Sequence, residues 1–331
     1  MRNSIGQKRL SFWEHTFAFI GRKTRFLQPS FVQFGAQYPP REWNLAKNRT
    51  RSALPNDTPR ISIVIPSYKQ AAYLEKTITS LLSQDYPALE LIVVDGGSDD
   101  GSKEIIEKYS AHIKWWCSEQ DSGQTNALNR GFAQSSGEIM AWLNSDDMLM
   151  PETLNRVAAY FAHYQNVDAV YGHRILIDEE DRDIGRWIVP KHDDKVMTWA
   201  DFIPQETLFW RRSLWQKAGK KLDESFKFAM DWDLLLRFRD AGARFVRLPY
   251  FLGLFRVHAG QKTSAQINDV GFAEMQRLRK RCLGYTPHLG RKRFGEDNYL
   301  KQYRVALGTA FYLLKARVCE LLWKAGLIKY D

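Results

Sequence analysis

Cysteine is scarce in this 331-residue chain. Cys117, Cys282 and Cys319 are odd in number and scattered, with no CxxC or Cys/His spacing, so neither a disulfide framework nor a zinc site is indicated. Long apolar runs are missing too. No window approaches the roughly 18 consecutive apolar residues of a membrane span, and the first twenty residues lack the unbroken apolar core of a signal peptide. Neither a span nor export is expected, and a reducing, cytoplasmic setting fits best. Two nucleotide motifs are also absent. There is no GxGxxG after the first strand-like run and no GxxxxGKS or GxxxxGKT anywhere, which speaks against a dinucleotide-binding Rossmann domain and a P-loop NTPase.

Charge of both signs is present but unevenly placed. The formal net charge is +10, with 11 Lys+Arg against 3 acids in residues 1–60 and 13 against 4 in residues 277–331. The intervening residues 61–276 hold 24 basic and 31 acidic side chains. A basic surplus confined to the flanks argues against nucleic acid as a partner. Basic flanks carrying aromatics suit an anionic membrane surface, and solvated tails and helix faces account for them equally well.

Between the flanks the pattern is regular. Residues 1–59 are basic and aromatic, then rich in Pro, Asn and Arg, as expected of a docking extension and linker. ISIVIP is a continuous apolar, largely β-branched run, which predicts a strand buried on both faces of a parallel sheet. In QAAYLEKTITSLLSQ the apolar Leu74, Ile78, Leu81 and Leu82 recur at helical spacing, and LELIVVDGG follows as a second buried strand. Residues 61–95 therefore form a βαβ unit. The alternation continues with a helix near 101–110, the strand IKWWC, a helix near 123–135 and the strand EIMAWLN. Beyond Pro151 come a helix near 152–164, the strand VDAVYG and a less regular stretch, 174–200. FKFAMDWDLLLRFRDAG carries Leu234, Leu235 and Phe238 at helical spacing, and two strands, ARFVRLP and FLGLFRVH, follow it. Residues 268–331 read as mainly helical, with an apolar stripe of Leu300, Tyr303, Leu307, Ala310, Leu314 and Leu321.

An open α/β sheet binds ligands beyond the carboxyl ends of its strands. That rule selects Pro66-Ser67-Tyr68, Asp95, Glu119 to Asp121, and Asn144 to Asp147, which should converge on one crevice. The adjacent Asp146 and Asp147 repel each other, and burying ionised carboxylates is unfavourable unless something positive compensates. A hard divalent cation would do so, since Mg2+ or Mn2+ typically takes one or two protein carboxylates and completes its shell with water and phosphate oxygens. A helix cap leading into PETLNRV is the structural alternative.

The order of these segments adds a resemblance. SIVIPSYKQAAYLEKTITSLLSQDYPALELIVVDGGSDDGS, followed by EQDSGQTNALNRGFAQSSGEIMAWLNSDDMLMP, resembles the family 2 glycosyltransferases of GT-A fold over roughly residues 60–260. The resemblance implies a mixed, mainly parallel central sheet flanked by helices, with a helical C-terminal extension. Its domains are an N-terminal extension (1–59), a catalytic domain (60–262, with a nucleotide-sugar half to 150 and an acceptor half from 151) and the extension 263–331. It implies an inverting, hexosyltransferase-type enzyme that uses a nucleoside-diphosphate sugar, expected to be a UDP-sugar, with a divalent cation, Mn2+ or Mg2+. Pro66, Ser67 and Tyr68 would border the nucleobase and ribose, and Asp95 would hydrogen-bond the base. Asp121, Gly123, Gln124, Ala127 and Asn129 match the stretch that lines the nucleotide pocket. The family's metal-binding D-x-D becomes Asn144-Ser145-Asp146, so Asp146, helped by Asp147 and by the late His258, would carry the metal contact. Asp231 matches the catalytic base, whereas Asp233, two residues on, would pair with Arg237. Gln205, Glu206 and Trp210 would line the acceptor pocket.

The expected acceptor is a glycan or lipid-linked glycan in surface polysaccharide or glycolipid synthesis, met in the cytoplasm or at the inner face of the plasma membrane by peripheral association. Two other readings stay open. A sugar-phosphate nucleotidyltransferase would want a basic loop after the first strand, where IPSYKQ offers only Lys69. A catalytically inactive glycan-assembly scaffold is raised by Asn144 and opposed by the intact Asp146, Asp147 and Asp231.

Overall fold

The computed structural model describes residues 35–42, 54–55, 57–262, 270–284, 312 and 314–329. Its first strand, β1 (Ile61–Ser67), is buried at every position, as its largely apolar pattern predicts, with the buried Ser62 hydroxyl donating to Glu90 at 2.6 Å. Helix α1 (Ala71–Leu82) covers it with Leu74, Thr77, Ile78 and Leu81, and β2 (Leu89–Asp95) returns parallel to β1 with Ser67 opposite Asp95. Helix α2 (Ser102–Lys108) leads to the short β3 (Trp115–Ser118), parallel to β2. Helix α3 (Gln124–Gln134) leads to β4 (Ile139–Trp142), parallel to β1 on its other side. Gly131 lets α3 lie directly on the sheet, because a Cβ there would stand 2.4 Å from Val64 Cγ1.

The second half reverses direction. After β5 (Met148–Leu149) and α4 (Thr153–His163), β6 (Ala169–Ile177) pairs with the antiparallel β7 (Asp183–Trp187). The stretch 174–200 is thus more ordered than its sequence suggests. It contains the end of β6, the whole of β7 and the short α5 (Asp194–Met197), which Asp193 caps through the backbone N–H groups of Lys195 and Val196. Next come β8 (Phe209–Arg211), α6 (Arg212–Lys217), α7 (Met230–Asp240), β9 (Phe245–Arg256) and α8 (Phe272–Leu283). Among the described residues the sheet runs β3-β2-β1-β4-β8-β6-β9-β5, with β7 beside β6. It is mixed, and four parallel strands, β1 to β4, end at one edge.

Two expectations about the later chain need correction. ARFVRLP and FLGLFRVH form one twelve-residue strand, not two. The pairing of β9 with β6 shifts register between Tyr171/Arg247 and His173/Phe251, and this bulge accommodates Pro249, which has no N–H to donate. In the C-terminal helical stretch, Leu300, Tyr303, Leu307 and Ala310 lie outside the described residues. Of the remainder, Leu314 and Leu321 are 47% and 49% exposed, while Tyr312, Ala316, Cys319 and Trp323 face the core. The inward face is therefore rotated from the expected stripe. Most of the N-terminal extension also lies outside the described residues, but 35–42 dock on β7: Gln37 N donates to Ile184 O (2.7 Å) and Tyr38 Oη to Asp183 (2.5 Å).

Candidate active site

A cleft of about 850 Å³ opens beyond the carboxyl ends of β1, β2 and β4 and is closed on the far side by the segments before β8 and α7 and after β9. Pro66, Ser67 and Tyr68 line it where β1 ends, and Asp121, Gly123, Gln124 and Ala127 where α3 begins. Tyr68 is 60% exposed, and Gly96 leaves the space before it open, since a Cβ would lie 3.1 Å from the Tyr68 ring and 3.3 Å from the Asp121 carboxylate. Asp121 accepts from the Gly123 N–H at 2.7 Å, which shapes the turn into α3.

Two expected nucleotide residues do not line the cleft. Asp95 is fully buried and accepts from Gly97 N, Ser98 N, Ser98 Oγ and Ser118 Oγ at 2.6–3.1 Å. Its carboxylate holds the loop after β2. Asn129 turns outward and fastens residues 222–224, donating to Leu222 O and Glu224 Oε1 and accepting from Leu222 N. Both are polar residues at the right point in the chain whose bonding capacity the fold itself uses.

The segment after β4 is also divided in its roles. Asn144 and Ser145 line the cleft, and the Ser145 carbonyl accepts from Thr77 Oγ1 (2.9 Å). Asn144 Oδ1 accepts from Gln124 Nε2 (2.8 Å), while its Nδ2 donates to Asp147 Oδ2 (3.3 Å) and Gln205 Oε1 (3.1 Å). Asp147 is 1% exposed and its other oxygen accepts from the Arg256 N–H (3.1 Å). Burial first, and then Asp146 and Glu206, push its carboxyl well above the ordinary range. Asp146 meets His258 instead, Oδ2 to Nε2 at 3.0 Å, with the imidazole packed 4.8 Å from the Tyr73 ring. Arg256 holds the same turn by donating from Nε to the Asp146 carbonyl (2.9 Å).

These positions answer the question of the acidic pair. Asp147 lines the cleft beside Asp146, with one oxygen on the Asn144 amide and the other on the Arg256 N–H. The cap alternative fails, because α4 starts at Thr153 and Glu152 occupies the cap position. Among the described residues no group of three or more His, Cys, Asp or Glu is arranged to hold a metal ion. Asp146 and His258 together fit a divalent ion that takes its other ligands from water and phosphate oxygens.

Asp231, the second residue of α7, also lines the cleft. Its Oδ1 accepts from the Trp232 N–H at 2.8 Å, and burial raises its carboxyl above the usual value despite that bond and the nearby Lys262. Asp233 points away from the cleft, bonded to Arg237 (2.9 Å) and Arg281 (2.6 Å). Of the expected acceptor residues, Gln205 and Glu206 line the cleft but are engaged. Gln205 donates to the Trp142 carbonyl (2.8 Å). Glu206 forms a buried, two-pronged pair with Arg174, whose guanidinium is sandwiched between Trp187 (4.6 Å) and Phe255 (4.1 Å). Trp210 is not at the cleft: it is fully buried, 5.7 Å from Trp142 and from Phe132 and 5.6 Å from Phe238. It belongs to the core, where an aromatic ring contributes most by packing.

Two cleft residues escaped the sequence reading. Asp201 stands close enough to Asp231 for their charges to interact, its carboxyl raised well by burial and then by Asp231, and its buried Oδ1 has no hydrogen-bond partner. Lys262 lies in the cleft wall and donates from Nζ to Gln124 Oε1 at 2.7 Å. An acid in the irregular ADFIPQE and a lysine in AGQKTS carry no spacing that would single them out.

The family model described as Glycosyl transferase family 2 matches residues 62–238, more than half of the chain. An uncharacterised glycosyltransferase of Rickettsia typhi, RT0329, is 30% identical over 221 residues, 64% of this chain and 69% of that protein. The chain spans 39% to 69% of the length of the first curated relatives it matches. Among solved structures, S. aureus TarS 1–349 in complex with UDP-GlcNAc superposes with a TM-score of 0.54 at 19% identity, covering 77% of this chain and 81% of that one. The mannosyltransferase PcManGT of Pyrobaculum calidifontis, in complex with GDP-Man and Mn2+, gives 0.50 at 16% identity over 96% and 85%. At such identities the likeness is one of fold, the GT-A type.

Proposed function

This chain belongs to glycosyl transferase family 2, and from that premise we propose that it transfers a hexose from a nucleoside-diphosphate sugar to an acceptor hydroxyl with inversion. The observation that carries the reading is the placement of Asp231 in the same cleft as Tyr68 and Asp146, with His258 behind Asp146 at 3.0 Å. Displacing a sugar from a nucleoside diphosphate builds negative charge on the leaving phosphates, and inversion needs a base on the far side of the anomeric carbon. Tyr68, Gly96 and Asp121 form the donor end, where an exposed ring can pack against the base. Asp146 and His258 would hold a divalent ion, Mn2+ or Mg2+, which as a Lewis acid stabilises the departing diphosphate. Asp231 takes the proton of the attacking hydroxyl, and its raised affinity for protons suits that task at neutral pH. A UDP-sugar is our first choice of donor, and a surface glycan or lipid-linked glycan our choice of acceptor.

For its location we favour the inner face of the plasma membrane. No helix among the described residues is long and apolar enough to cross a membrane. The exposed Leu314, Val318 and Leu321 alternate with the basic Lys315 and Lys324, a combination suited to lying on an anionic surface.

The test is a panel of UDP- and GDP-sugars, with and without Mn2+, read by nucleotide release and product stereochemistry. Asp231→Asn should lower kcat about 10³-fold while leaving donor affinity intact. Because Asp231 acts deprotonated and burial raises its pKa, wild-type kcat/KM should rise with pH through a limb above the usual carboxylate range. Full activity in Asp231→Asn would remove it as the base.

A further inference from the structure

We propose that Lys262 is a binding residue for the donor's diphosphate, held in place by a relay of side-chain amides that Asn144 anchors. The inference rests on the nucleoside-diphosphate reading above. Its geometry starts from Asn144, which accepts from Gln124 Nε2 at 2.8 Å. The same Gln124 side chain presents its oxygen, Oε1, to the Lys262 ammonium at 2.7 Å. Asn144 is fixed in turn, since its Nδ2 reaches both Asp147 Oδ2 and Gln205 Oε1. Every member from Lys262 to Gln205 lines the one cleft.

The relay has a direction. An amide that donates to Asn144 must offer its oxygen at the other end, where it accepts from a donor, here the Lys262 ammonium. A carboxylate at position 144 would add one more negative charge beside Asp146 in a cleft proposed to hold a diphosphate. With the neutral amide, Asp146 is the one carboxylate of the N-S-D triplet, and the ammonium supplies positive charge from the protein itself. A lysine offers three donors, of which the Gln124 contact uses one, so two are left for phosphate oxygens. The surrounding charges are compatible with that use. Asp231 from α7 and Glu274 from α8 favour the charged ammonium, and Lys227 from the segment before α7 opposes it. Burial outweighs them and brings the ammonium down to about 8, so it is charged at neutral pH and is discharged in a range where nucleoside diphosphates do not titrate.

The experiment is calorimetric titration of the full chain with UDP, GDP, uridine and guanosine in EDTA, using wild type, Lys262→Met and Lys262→Arg, with thermal unfolding as a check that each variant folds. Wild type should bind one of the diphosphates without metal. Lys262→Met should bind it about tenfold or more weakly, as expected when a hydrogen bond between charged groups is lost, with nucleoside affinity unchanged and Lys262→Arg restoring much of the difference. Between pH 7.5 and 9.5 the wild-type affinity for the diphosphate should fall as the ammonium loses its proton, and that of Lys262→Met should stay flat. Equal affinity of wild type and Lys262→Met for the diphosphate across that range overturns the proposal and leaves the donor reading standing. Failure of wild type to bind either diphosphate, with or without Mn2+, removes the donor reading and this inference with it.

Discussion

Replacing Asn144 with Asp would create the D-x-D pattern that the resemblance leads one to expect, yet the surroundings of this side chain argue that the chain as it stands would not tolerate the change well. Asn144 Nδ2 donates to Asp147 Oδ2 and Gln205 Oε1. A carboxylate donates to neither, so two hydrogen bonds worth about 1 kcal/mol each are lost. The new charge would stand beside the buried Asp147. Two unit charges at the Asn144–Asp147 spacing of 3.3 Å repel by about 5 kcal/mol at an effective dielectric of 20, a bound that protonation of one partner reduces severalfold. A net destabilisation of about 3 kcal/mol follows, or a fall in Tm of roughly 6–12 °C. The deficit depends on pH with a definite sign. An acid whose folded pKa is raised binds its proton more tightly when folded, so the variant should lose stability as pH rises from 5 to 8. Differential scanning calorimetry in EDTA at both values provides the measurement. A variant within about 1 °C of wild type at pH 8 would refute the argument that Asn144 acts as a donor hub.

Two further changes probe residues whose place in the fold differs from what their sequence context suggests. Trp210→Ala should lower stability by about 3–5 kcal/mol in urea denaturation through the cavity it leaves, with the acceptor KM unchanged; a raised KM at full stability would return this ring to the acceptor site. Glu206→Gln leaves the buried Arg174 guanidinium without its counter-charge and should cost about 3–5 kcal/mol, again by urea denaturation, and a loss below 1 kcal/mol would mean that the aromatic sandwich of Trp187 and Phe255 suffices to hold the arginine.

The strands β1 and β2 beneath the cleft were legible because burial on both faces leaves a plain signature: ISIVIP and LELIVV admit few other readings, and the position of a polar residue just past such a run locates it near the cleft. The same rule places Asp95 at that edge but says nothing of its partners, and four donors from the adjoining loop and Ser118 turned a residue at the correct address inward. Trp210 was ambiguous for a different reason. A tryptophan satisfies a core and a sugar-binding surface by the same apolar area, and periodicity cannot separate the two in a three-residue strand. Asp201 and Lys262 were invisible because their significance lies wholly in contacts across the cleft, with Asp231 and Gln124. For Lys262 that distance in sequence is 138 residues.

Strand β9 has a consequence for anyone recombining this chain. It pairs with β5, Met148 opposite Leu254, and its end delivers Arg256 and then His258 to the turn that carries Asp146. A chimera joined near residue 151, with residues 60–150 from one parent and the rest from another, would cut between Asp146 and the imidazole that holds it. The proposed donor site should therefore travel only when the segment around residues 245–262 is exchanged along with residues 60–150, so the smallest transplantable unit of this chain is discontinuous in sequence.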